Sequence, residues 1–330
     1  MNVAKFILNW IWAMEFRHLR YFIAVAEEGH ITRAAERLGM QQPPLSQRIK
    51  AIERELDVQL FRRKARGVEL TEAGRVFLDN ARAMLTQNER AIESTRRTAR
   101  GEQGRLCVGV TPTGPFHPFV PRVIRAFREV FPLVSLTLEE CLSPELLKRL
   151  RNEQMDAAFL RTPMAEPEDL VIDSLLEEPM VVALPSAHAL AQNDGDDAAL
   201  SLKDLAGETF IVYARQHGPG LYDATTAACL KAGFSPRLGQ EAPRITSALS
   251  LVAAGLGISA VPASMQRMIM DGVAYRRLKG PNQPKAVLNL ASRRGDPSAV
   301  VRHFLRLVGR AARNFHADRE KSGVPQTAAV

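Results

Sequence analysis

The sequence predicts an α/β protein in two parts: a small winged helix-turn-helix head with a long linker helix, and a body of two doubly wound α/β lobes. Three observations lead to this prediction. Two short amphipathic patterns meet at Gly39, a proline-free helical pattern covers residues 72–100, and from Arg105 short apolar runs alternate with amphipathic segments. A chain of 330 residues is long enough for two or three domains with apolar cores.

Residues 15–39 contain two helical patterns, each ended by a glycine. The first helix is predicted from Glu15 to Glu28 and ends at Gly29. Thr32 is expected to cap the second helix, which ends at Gly39. The residues that this helix buries are small or slim: Ala34, Ala35 and Leu38.

The next helix is predicted to begin near Pro43 and Pro44, where a missing N–H costs nothing. Its apolar stripe is Leu45, Ile49, Ile52 and Leu56. The arrangement is a helix-turn-helix, whose second helix enters the major groove of DNA. Polar residues off the stripe are candidates for base or phosphate contacts, although any solvated helix face looks similar: Gln42, Ser46, Gln47, Arg48 and Lys50.

Residues 60–70 are expected to form a short β-hairpin, or wing, with a tight turn at Gly67. Its basic residues are Arg62, Arg63, Lys64 and Arg66. They form either a solvated edge or, beside a helix-turn-helix, a surface for phosphates or the minor groove, and the second interpretation is favoured.

Charge supports a polyanionic partner. Residues 1–100 contain 18 Lys and Arg against 12 Asp and Glu, which is six of the eight net positive charges of the chain. Phosphate contacts supply most non-specific DNA affinity, so an excess confined to the head favours DNA. The alternative is a basic segment that only improves solubility.

Residues 72–100 are predicted to form one long helix capped by Thr71 and ended by Gly101 and Gly104. Its apolar seam is Val76, Phe77, Ala81, Met84, Leu85, Asn88, Ile92 and Thr95. Because one isolated helix has nothing of its own to bury against, this linker helix is expected to dimerise the protein. Two heads would then face successive half-sites of an inverted repeat in duplex DNA.

The body begins with a βαβαβ pattern, which predicts a parallel sheet with right-handed crossovers. Its predicted elements are strands 106–110, 134–139 and 157–160 and helices 119–131 and 143–153. Two extended runs, 170–176 and 180–184, lead to a second unit with strands 210–213 and 258–261 and helices 221–231 and 246–254. Strands 275–278 and 287–291 and a helix from Ser298 to Ala312 return to the first lobe, so that two crossings form a hinge.

The remaining features are weaker. Cys107, Cys141 and Cys229 form no metal or disulfide spacing, which indicates a reducing cytoplasm. The apolar run at residues 1–13 is too short for a membrane span and is interpreted as an extension before Met14, with a start at Met14, a loose tail and a peripheral anchor all left open. No membrane partner is expected.

An enzyme is not expected. No GxGxxG follows a strand, no GxxxxGK[ST] or GxSxG occurs, and the His residues lack metal or triad spacing. His188 and His217 are interpreted as loop residues, and no catalytic residue, metal or cofactor is expected. A two-lobed solute-binding protein and a ligand-independent DNA-binding repressor remain as alternatives.

A ligand site is predicted where helices begin beyond the carboxyl ends of strands. The candidate loops are 111–114, 141–143, 161–162 and 217–222. Thr113 and Ser143 offer hydroxyls at helix starts, and Arg161 adds a positive charge suited to a carboxylate. Ordinary helix capping is the alternative for both hydroxyls.

The head resembles a known family. MEFRHLRYFIAVAEEGHITRAAERLGMQQPPLSQRIKAIERELDVQLFRR followed by GVELTEAG is similar to LysR-type transcriptional regulators, and LVAAGLGISAVPAS at 251–264 is similar to the branch that controls benzoate, catechol and chlorocatechol catabolism. The resemblance implies a homotetrameric, DNA-bending, cytoplasmic regulator, usually an activator acting on RNA polymerase, with a body like that of periplasmic binding proteins.

The resemblance also assigns residues. Its DNA-contacting set is Gln42, Pro43, Pro44, Ser46, Gln47, Arg48, Arg62 and Arg63, to which the residue pattern adds Thr32, Lys50 and Arg66. Its effector set is Thr113, Ser143, Arg161, Pro219 and Leu221. Many relatives have Arg then Gln where this chain has Gln47 then Arg48, which changes the expected operator. Some relatives have an acidic residue at Leu256, so an accessory site that needs that charge is not expected.

The domains expected from pattern and resemblance together are residues 1–13 as an extension, 14–71 as the DNA-binding head, 72–103 as the linker helix, 104–315 as the effector domain and 316–330 as a loose tail. Within the effector domain, lobe I is expected at 104–176 and 281–315 and lobe II at 177–280.

Overall fold

The computed structural model describes residues 14–161, 168–192, 199–216 and 218–321. Its contacts divide the chain into two compact units on either side of the Arg96–Arg97 bond. The predictions made for residues 1–13, Thr162, His217 and residues 322–330 fall outside the described ranges.

The first unit consists of three short helices, a hairpin and a long fourth helix. Its elements are α1 (Phe16–Glu28), α2 (Ile31–Arg37), α3 (Gln42–Leu56), β1 (Phe61–Lys64), β2 (Gly67–Leu70) and α4 (Glu72–Ala99). This is the order that the sequence predicted, and it confirms the winged helix-turn-helix with its long helix.

Two glycines end α1 and α2 as expected. Gly29 and Gly39 adopt left-handed φ angles of 60° and 64°, a region that glycine enters at little cost. The prediction that Thr32 caps α2 is wrong. The N-cap residue is His30, two residues earlier, and the helix begins at Ile31; the His30 ring nitrogen Nδ1 accepts the Thr32 N–H at 3.2 Å.

The head has one apolar core. Leu45, Ile49 and Ile52 of α3 are buried against α1 and α2, as their spacing predicted. Leu56 was expected to continue the stripe but is 38% exposed, because it is the last residue of α3 and lies past the contact.

The linker helix α4 is capped by Thr71 as predicted, since Thr71 Oγ1 accepts the Gly74 N–H at 2.9 Å. The predicted single seam is wrong. Phe77, Ala81 and Leu85 pack on the core of the head, so that the first half of the helix does have a partner within the chain. Three other seam residues face solvent: Val76, Met84 and Ile92.

The second unit is an α/β body. Its elements are β3 (Gln103–Val110), α5 (Phe119–Val130), β4 (Leu133–Glu140), α6 (Ser143–Arg151), β5 (Ala157–Leu160), β6 (Leu170–Pro185), β7 (Leu200–Ser201), β8 (Thr209–Tyr213), α7 (Pro219–Lys231), β9 (Arg237–Ala242), α8 (Ile245–Ala253), β10 (Ser259–Pro262), β11 (Val273–Lys279), β12 (Lys285–Arg293) and α9 (Ala299–Lys321).

Lobe I has the strand order β4-β3-β5-β12-β6, with β3 parallel to β4 and β5. Helices α5 and α9 cover one face of this sheet, and α6 covers the other. In lobe II, α7 and α8 lie in two separate cores on either side of β6, β8 and neighbouring strands. Helices on both faces confirm the doubly wound fold class.

The crossing between the lobes differs from the prediction. The two extended runs at 170–176 and 180–184 form one 16-residue strand, β6. Its first part pairs with β12 and its last part with β10 and β11, so one sheet continues through both lobes. Strand β9 was missed because five of its six residues are exposed and the strand lacks a buried apolar alternation.

The linker helix ends where the sequence predicted, whereas the last helix of the body continues further. Gly101, with φ of 71°, follows the last helical residues of α4, and a Cβ there would meet the Ala299 backbone at 2.7 Å. At the other end α9 continues to Lys321, so residues 316–321 are helical and not the start of a loose tail. Within the described ranges, no helix has the length and apolar character needed to cross a bilayer.

Candidate functional site

Helix α3 presents a polar face opposite the core of the head. Six of the predicted DNA-contacting residues on this face are exposed, and Ser46 is partly buried among them. The exposed ones are Gln42, Pro43, Pro44, Gln47, Arg48 and Lys50. Arg48 and Lys50 form no ion pair with the described residues, so their charges are available to a ligand outside the chain.

The wing carries two different pairs of basic residues. Arg62 and Lys64 both contact Glu69 on the opposite strand, at 2.8 and 2.5 Å. Hydrogen bonds from Lys64 and then Arg62 lower the pKa of Glu69, which therefore stays ionised and offsets part of their charge. Arg63 and Arg66 have no such partner among the described residues, and both are exposed.

A buried carboxylate fixes the wing to α3. Glu53 is 8% exposed, and its Oε1 accepts the N–H groups of Leu60 and Phe61 at 2.8 and 3.0 Å. At the other end of the wing, Gly67 lies against the Gly29 carbonyl, which a Cβ would approach to 2.2 Å. Sequence reasoning missed Glu53, although its position on the buried side of a helix, next to Ile52, is a detectable signal.

Replacing Glu53 with alanine is expected to lower the free energy of unfolding by about 2 kcal/mol, because two N–H groups at the start of the wing lose their acceptor. Amide hydrogen exchange at Leu60 and Phe61 would accelerate. Glu55, exposed on the same helix, supplies the control. Equal protection of the Leu60 amide in Glu53→Ala and Glu55→Ala would contradict this role.

In the body, a small cavity lies between the two lobes. Lobe I contributes Thr111, Pro112, Thr113, Ser143 and Arg161, and lobe II contributes Tyr213, Gly218, Leu221 and Ile245. The cavity volume is about 20 Å³, enough for about one water molecule. Four of the five predicted effector residues are thus brought together, while Pro219 is adjacent to the lining at the first turn of α7.

Two residues of the cavity lining carry buried hydrogen-bond donors without acceptors among the described residues. Arg161 is 4% exposed, and its Nε and Nη1 have no hydrogen-bond partner among the described residues. The hydroxyl of Thr111, 5% exposed, is also without one. Buried donors of this kind normally find a partner, and unpaired ones cost about 1–3 kcal/mol each. The cavity therefore suits a ligand that accepts hydrogen bonds.

The positive charge of Arg161, which was expected to suit a carboxylate ligand, is paired with a carboxylate of the chain itself. Its Nη2 contacts Glu178 Oε1, and Glu178 is 5% exposed on β6. The same carboxylate accepts the Ser264 N–H at 2.7 Å and the Ser264 hydroxyl at 3.0 Å. Glu178 thus connects the end of β5 in lobe I to the turn after β10 in lobe II.

The two predicted hydroxyls do not cap helices. Ser143 is the first residue of α6, after the N-cap residue Leu142, and is buried. Thr113 precedes a three-residue 3₁₀ turn, and α5 begins only at Phe119. The full helix dipole expected at Thr113 is therefore absent, since the 3₁₀ turn is too short to supply it.

The lobe II wall was not predicted beyond Leu221. The ring of Tyr213 lies over Gly218, where a Cβ would come within 2.2 Å of it. Burial raises the pKa of Tyr213 to about 12, so the phenol stays protonated. Tyr213 is the last residue of β8. Ligands bind a doubly wound sheet beyond such carboxyl ends of its strands, so the position of Tyr213 at a strand end was a signal in the sequence.

Outside the cavity, the surroundings of Cys107 disfavour a reactive thiol. Burial, with a hydrogen bond to Glu139, raises the pKa of Cys107 to about 11, which disfavours the reactive thiolate. Among the described residues no group of His, Cys, Asp or Glu side chains could hold a metal ion. His188 lies in a turn and contacts Glu208 at 3.3 Å, and Leu256 is exposed in a loop.

A winged helix-turn-helix with an open basic face, together with a two-lobed α/β body that encloses a small cavity between its lobes, defines a transcriptional regulator in a single chain. Residues 16–75 match the bacterial regulatory helix-turn-helix protein, lysR family, and residues 99–313 match the LysR substrate binding domain. The chain belongs to the LysR family of DNA-binding transcriptional regulators and is not an enzyme.

Individual relatives agree with this assignment. The chain is 38% identical over 294 residues to the regulator AlsR of Bacillus subtilis (strain 168), covering 89% of this chain and 95% of that protein. It is 35% identical over 299 residues to CatR of Pseudomonas putida, covering 91% and 100%. Full-length CbnR, solved in complex with its target DNA, superimposes with a TM-score of 0.79 at 30% identity, covering 91% and 100%.

Proposed function

We propose that this protein is an activator that binds an interrupted inverted repeat in a promoter and changes its DNA contacts when a small carboxylate binds between its lobes. The observation that supports the effector most directly is that Arg161 and Thr111, which both line the cavity, carry two guanidinium nitrogens and a hydroxyl without hydrogen-bond partners among the described residues. Hydrogen-bond donors on the residues that line a largely apolar cavity favour a carboxylate with an apolar remainder.

The effector contacts we propose are Thr113, Ser143, Arg161, Pro219 and Leu221, and we add Thr111 and Tyr213 because they line the same cavity. Resemblance to the branch that controls aromatic catabolism supports a carboxylated ring-cleavage product as the class to test first. Because the cavity holds about one water molecule, such an acid requires the lobes or the Tyr213 ring to move apart.

That movement supplies the switch. An effector that binds only the open state shifts the population towards it. The Glu178 carboxylate accepts hydrogen bonds from Arg161 and Ser264 and so joins the two lobes. We propose that this bridge stabilises the closed state until the effector binds the Arg161 guanidinium. We propose that β6 and β12, the strands shared by both lobes, act as the hinge.

For DNA, we propose base contacts from α3 and phosphate contacts from α2 and the wing. The base-contacting residues are Gln42, Pro43, Pro44, Ser46, Gln47, Arg48 and Lys50, and the phosphate-contacting residues are Thr32, Arg62, Arg63 and Arg66. We propose that the protein works in the cytoplasm, where operator DNA and RNA polymerase would be its partners.

We propose a homodimer through α4, because Val76, Met84 and Ile92 expose apolar surface on a helix that continues beyond the core of the head. A second self-contact would give a homotetramer. Support for it is the apolar edge of the lobe I sheet, where Leu133 and Leu138 of the edge strand β4 are exposed.

Replacing Ser143 with alanine is expected to leave operator binding unchanged and to abolish the change in the DNase footprint that a carboxylated ring-cleavage product produces. Loss of one buried hydrogen bond to a carboxylate weakens binding by about 1.5–3 kcal/mol, roughly 10- to 150-fold. Ser135→Ala, an exposed change on lobe I, is the control.

A Ser143→Ala protein that responds at the wild-type effector concentration would contradict the cavity assignment. A footprint that no acid alters in the wild type would favour a ligand-independent repressor instead.

A further inference from the structure

Helices α5 and α9 lie side by side on one face of the lobe I sheet and share its core. Phe119, at the start of α5, contacts Phe315 of α9 with ring centroids 5.7 Å apart, and Phe127 contacts Phe304 at 5.3 Å. The two helices therefore run in opposite directions, and their outer faces form one continuous surface.

That surface is arginine-rich. The helices expose seven arginines among their described side chains, against one acidic residue, Glu129. The seven, which we call the arginine face, are Arg122, Arg125, Arg128, Arg302, Arg306, Arg310 and Arg313. Arg302, Arg306 and Arg310 follow at spacings of four residues and so lie along one line of α9.

The arginine face is also unpaired. Among the described residues, none of its members forms an ion pair, and Arg302 donates only to the carbonyls of Asp296 and Pro297. Several basic residues elsewhere in the body do have acidic partners within 4.0 Å, while scattered ones such as Lys231, Arg237 and Arg267 do not, in the part of the chain that the structure describes. Examples are Arg149 with Glu139, Arg151 with Asp169, Arg215 with Asp223, Lys285 with Glu177 and Arg293 with Asp156.

Composition does not account for this arrangement. Residues 101–330 contain 26 basic and 24 acidic residues, so the body as a whole is almost neutral. Like charges four residues apart on a helix destabilise it by about 0.2–0.5 kcal/mol per pair. Charge pairing among the described residues therefore does not account for the line of arginines on α9, and their mutual repulsion costs stability.

We infer that the arginine face binds the phosphate backbone of duplex DNA that flanks the operator. Arginine is suited to phosphate because its planar guanidinium donates two parallel hydrogen bonds, and an exposed row of unpaired cations releases counterions when it meets a polyanion. This inference rests on one part of the proposed function: the head must bind an operator, because that binding brings the flanking DNA to the protein.

The test uses the full chain and two duplexes, one that ends at the operator and one extended on each side by about four helical turns, roughly 40 base pairs. The triple variant Arg306→Gln, Arg310→Gln, Arg313→Gln is expected to bind the long duplex about tenfold more weakly at moderate salt. The slope of the logarithm of the binding constant against the logarithm of the salt concentration should become shallower by about 0.9 for each phosphate that the variant no longer neutralises. Affinity for the short duplex should not change.

The matched control is Lys231→Gln, Arg237→Gln, Arg267→Gln, which removes three exposed charges from lobe II and should leave both affinities unchanged. Equal weakening in both triple variants, or none in either, would overturn the inference. Unchanged affinity with reduced transcription in vitro would also overturn it, in favour of an acidic protein partner. Failure of the wild type to bind the short duplex would instead refute the proposed function.

Discussion

Replacing Arg161 with methionine is expected to lower the free energy of unfolding by about 3 kcal/mol, measured by urea denaturation of the full chain. The buried Glu178 carboxylate would lose its cationic partner while keeping only the two hydrogen bonds from Ser264. Methionine fills a similar volume without a charge, so the decrease reports the unpaired carboxylate and not a cavity.

A second variant separates stability from effector binding. Arg161→Met with Glu178→Gln removes both charges and keeps an amide that can still pair with Ser264, so most of the stability should return. The footprint response to a carboxylate should stay absent in both variants, because the cavity has no guanidinium in either. An Arg161→Met protein that unfolds at the wild-type urea concentration would contradict the arrangement described for this pair.

Replacing Arg48 with alanine is expected to weaken operator binding by about 1–3 kcal/mol, roughly 5- to 150-fold. Arg48 is exposed on α3 and has no ion pair among the described residues, so its guanidinium is available for a guanine edge. The weakening should be concentrated at one base pair, which a gel-shift titration with single-base operator variants would reveal.

Arg66→Ala and Arg75→Ala are the controls for Arg48. Arg66→Ala, in the turn of the wing, should weaken binding to all duplexes alike. It should also reduce the slope of the logarithm of the binding constant against the logarithm of the salt concentration by about 0.9. Arg75 forms an ion pair with Glu72 on α4, and its replacement should not affect binding. Uniform weakening of every duplex by Arg48→Ala would assign it to phosphate rather than to a base.

Most of the head could be predicted because its signals are local. Gly29, Gly39 and Gly67 occupy positions that need positive φ, and Pro43 and Pro44 mark a helix start. These residues impose their conformation within a few positions of the chain. The cap at His30 was missed because a histidine ring is an uncommon acceptor at a helix start.

The body was predicted less completely because its organisation depends on distant pairings. Periodicity located the strands of lobe I but could not show that residues 170–185 form one strand, since the interruption at Glu177 and Glu178 resembles a loop. In the structure, Glu178 is buried only because Arg161 and Ser264, 17 and 86 residues away, supply its partners. Such pairs cannot be derived from local spacing.

The site shows the same division. Strand ends and helix starts identified Thr113, Ser143 and Arg161, because topology alone brings those positions to one edge of a sheet. The prediction for Arg161 was incomplete, because the sequence around an arginine does not show which distant carboxylate pairs with it. The closed state of the cavity also depends on Tyr213 and Ile245 in the other lobe, whose approach follows from the fold.

The most direct test of the central claim, that a basic head binds specific duplex DNA while the body acts as a receptor, is a competition titration of the purified protein. Its own promoter fragment and a random duplex of equal length would compete at about 0.15 M salt. We expect the promoter to be preferred by about 10³-fold or more, as is usual for specific regulators. Equal affinity for the two duplexes would contradict the claim.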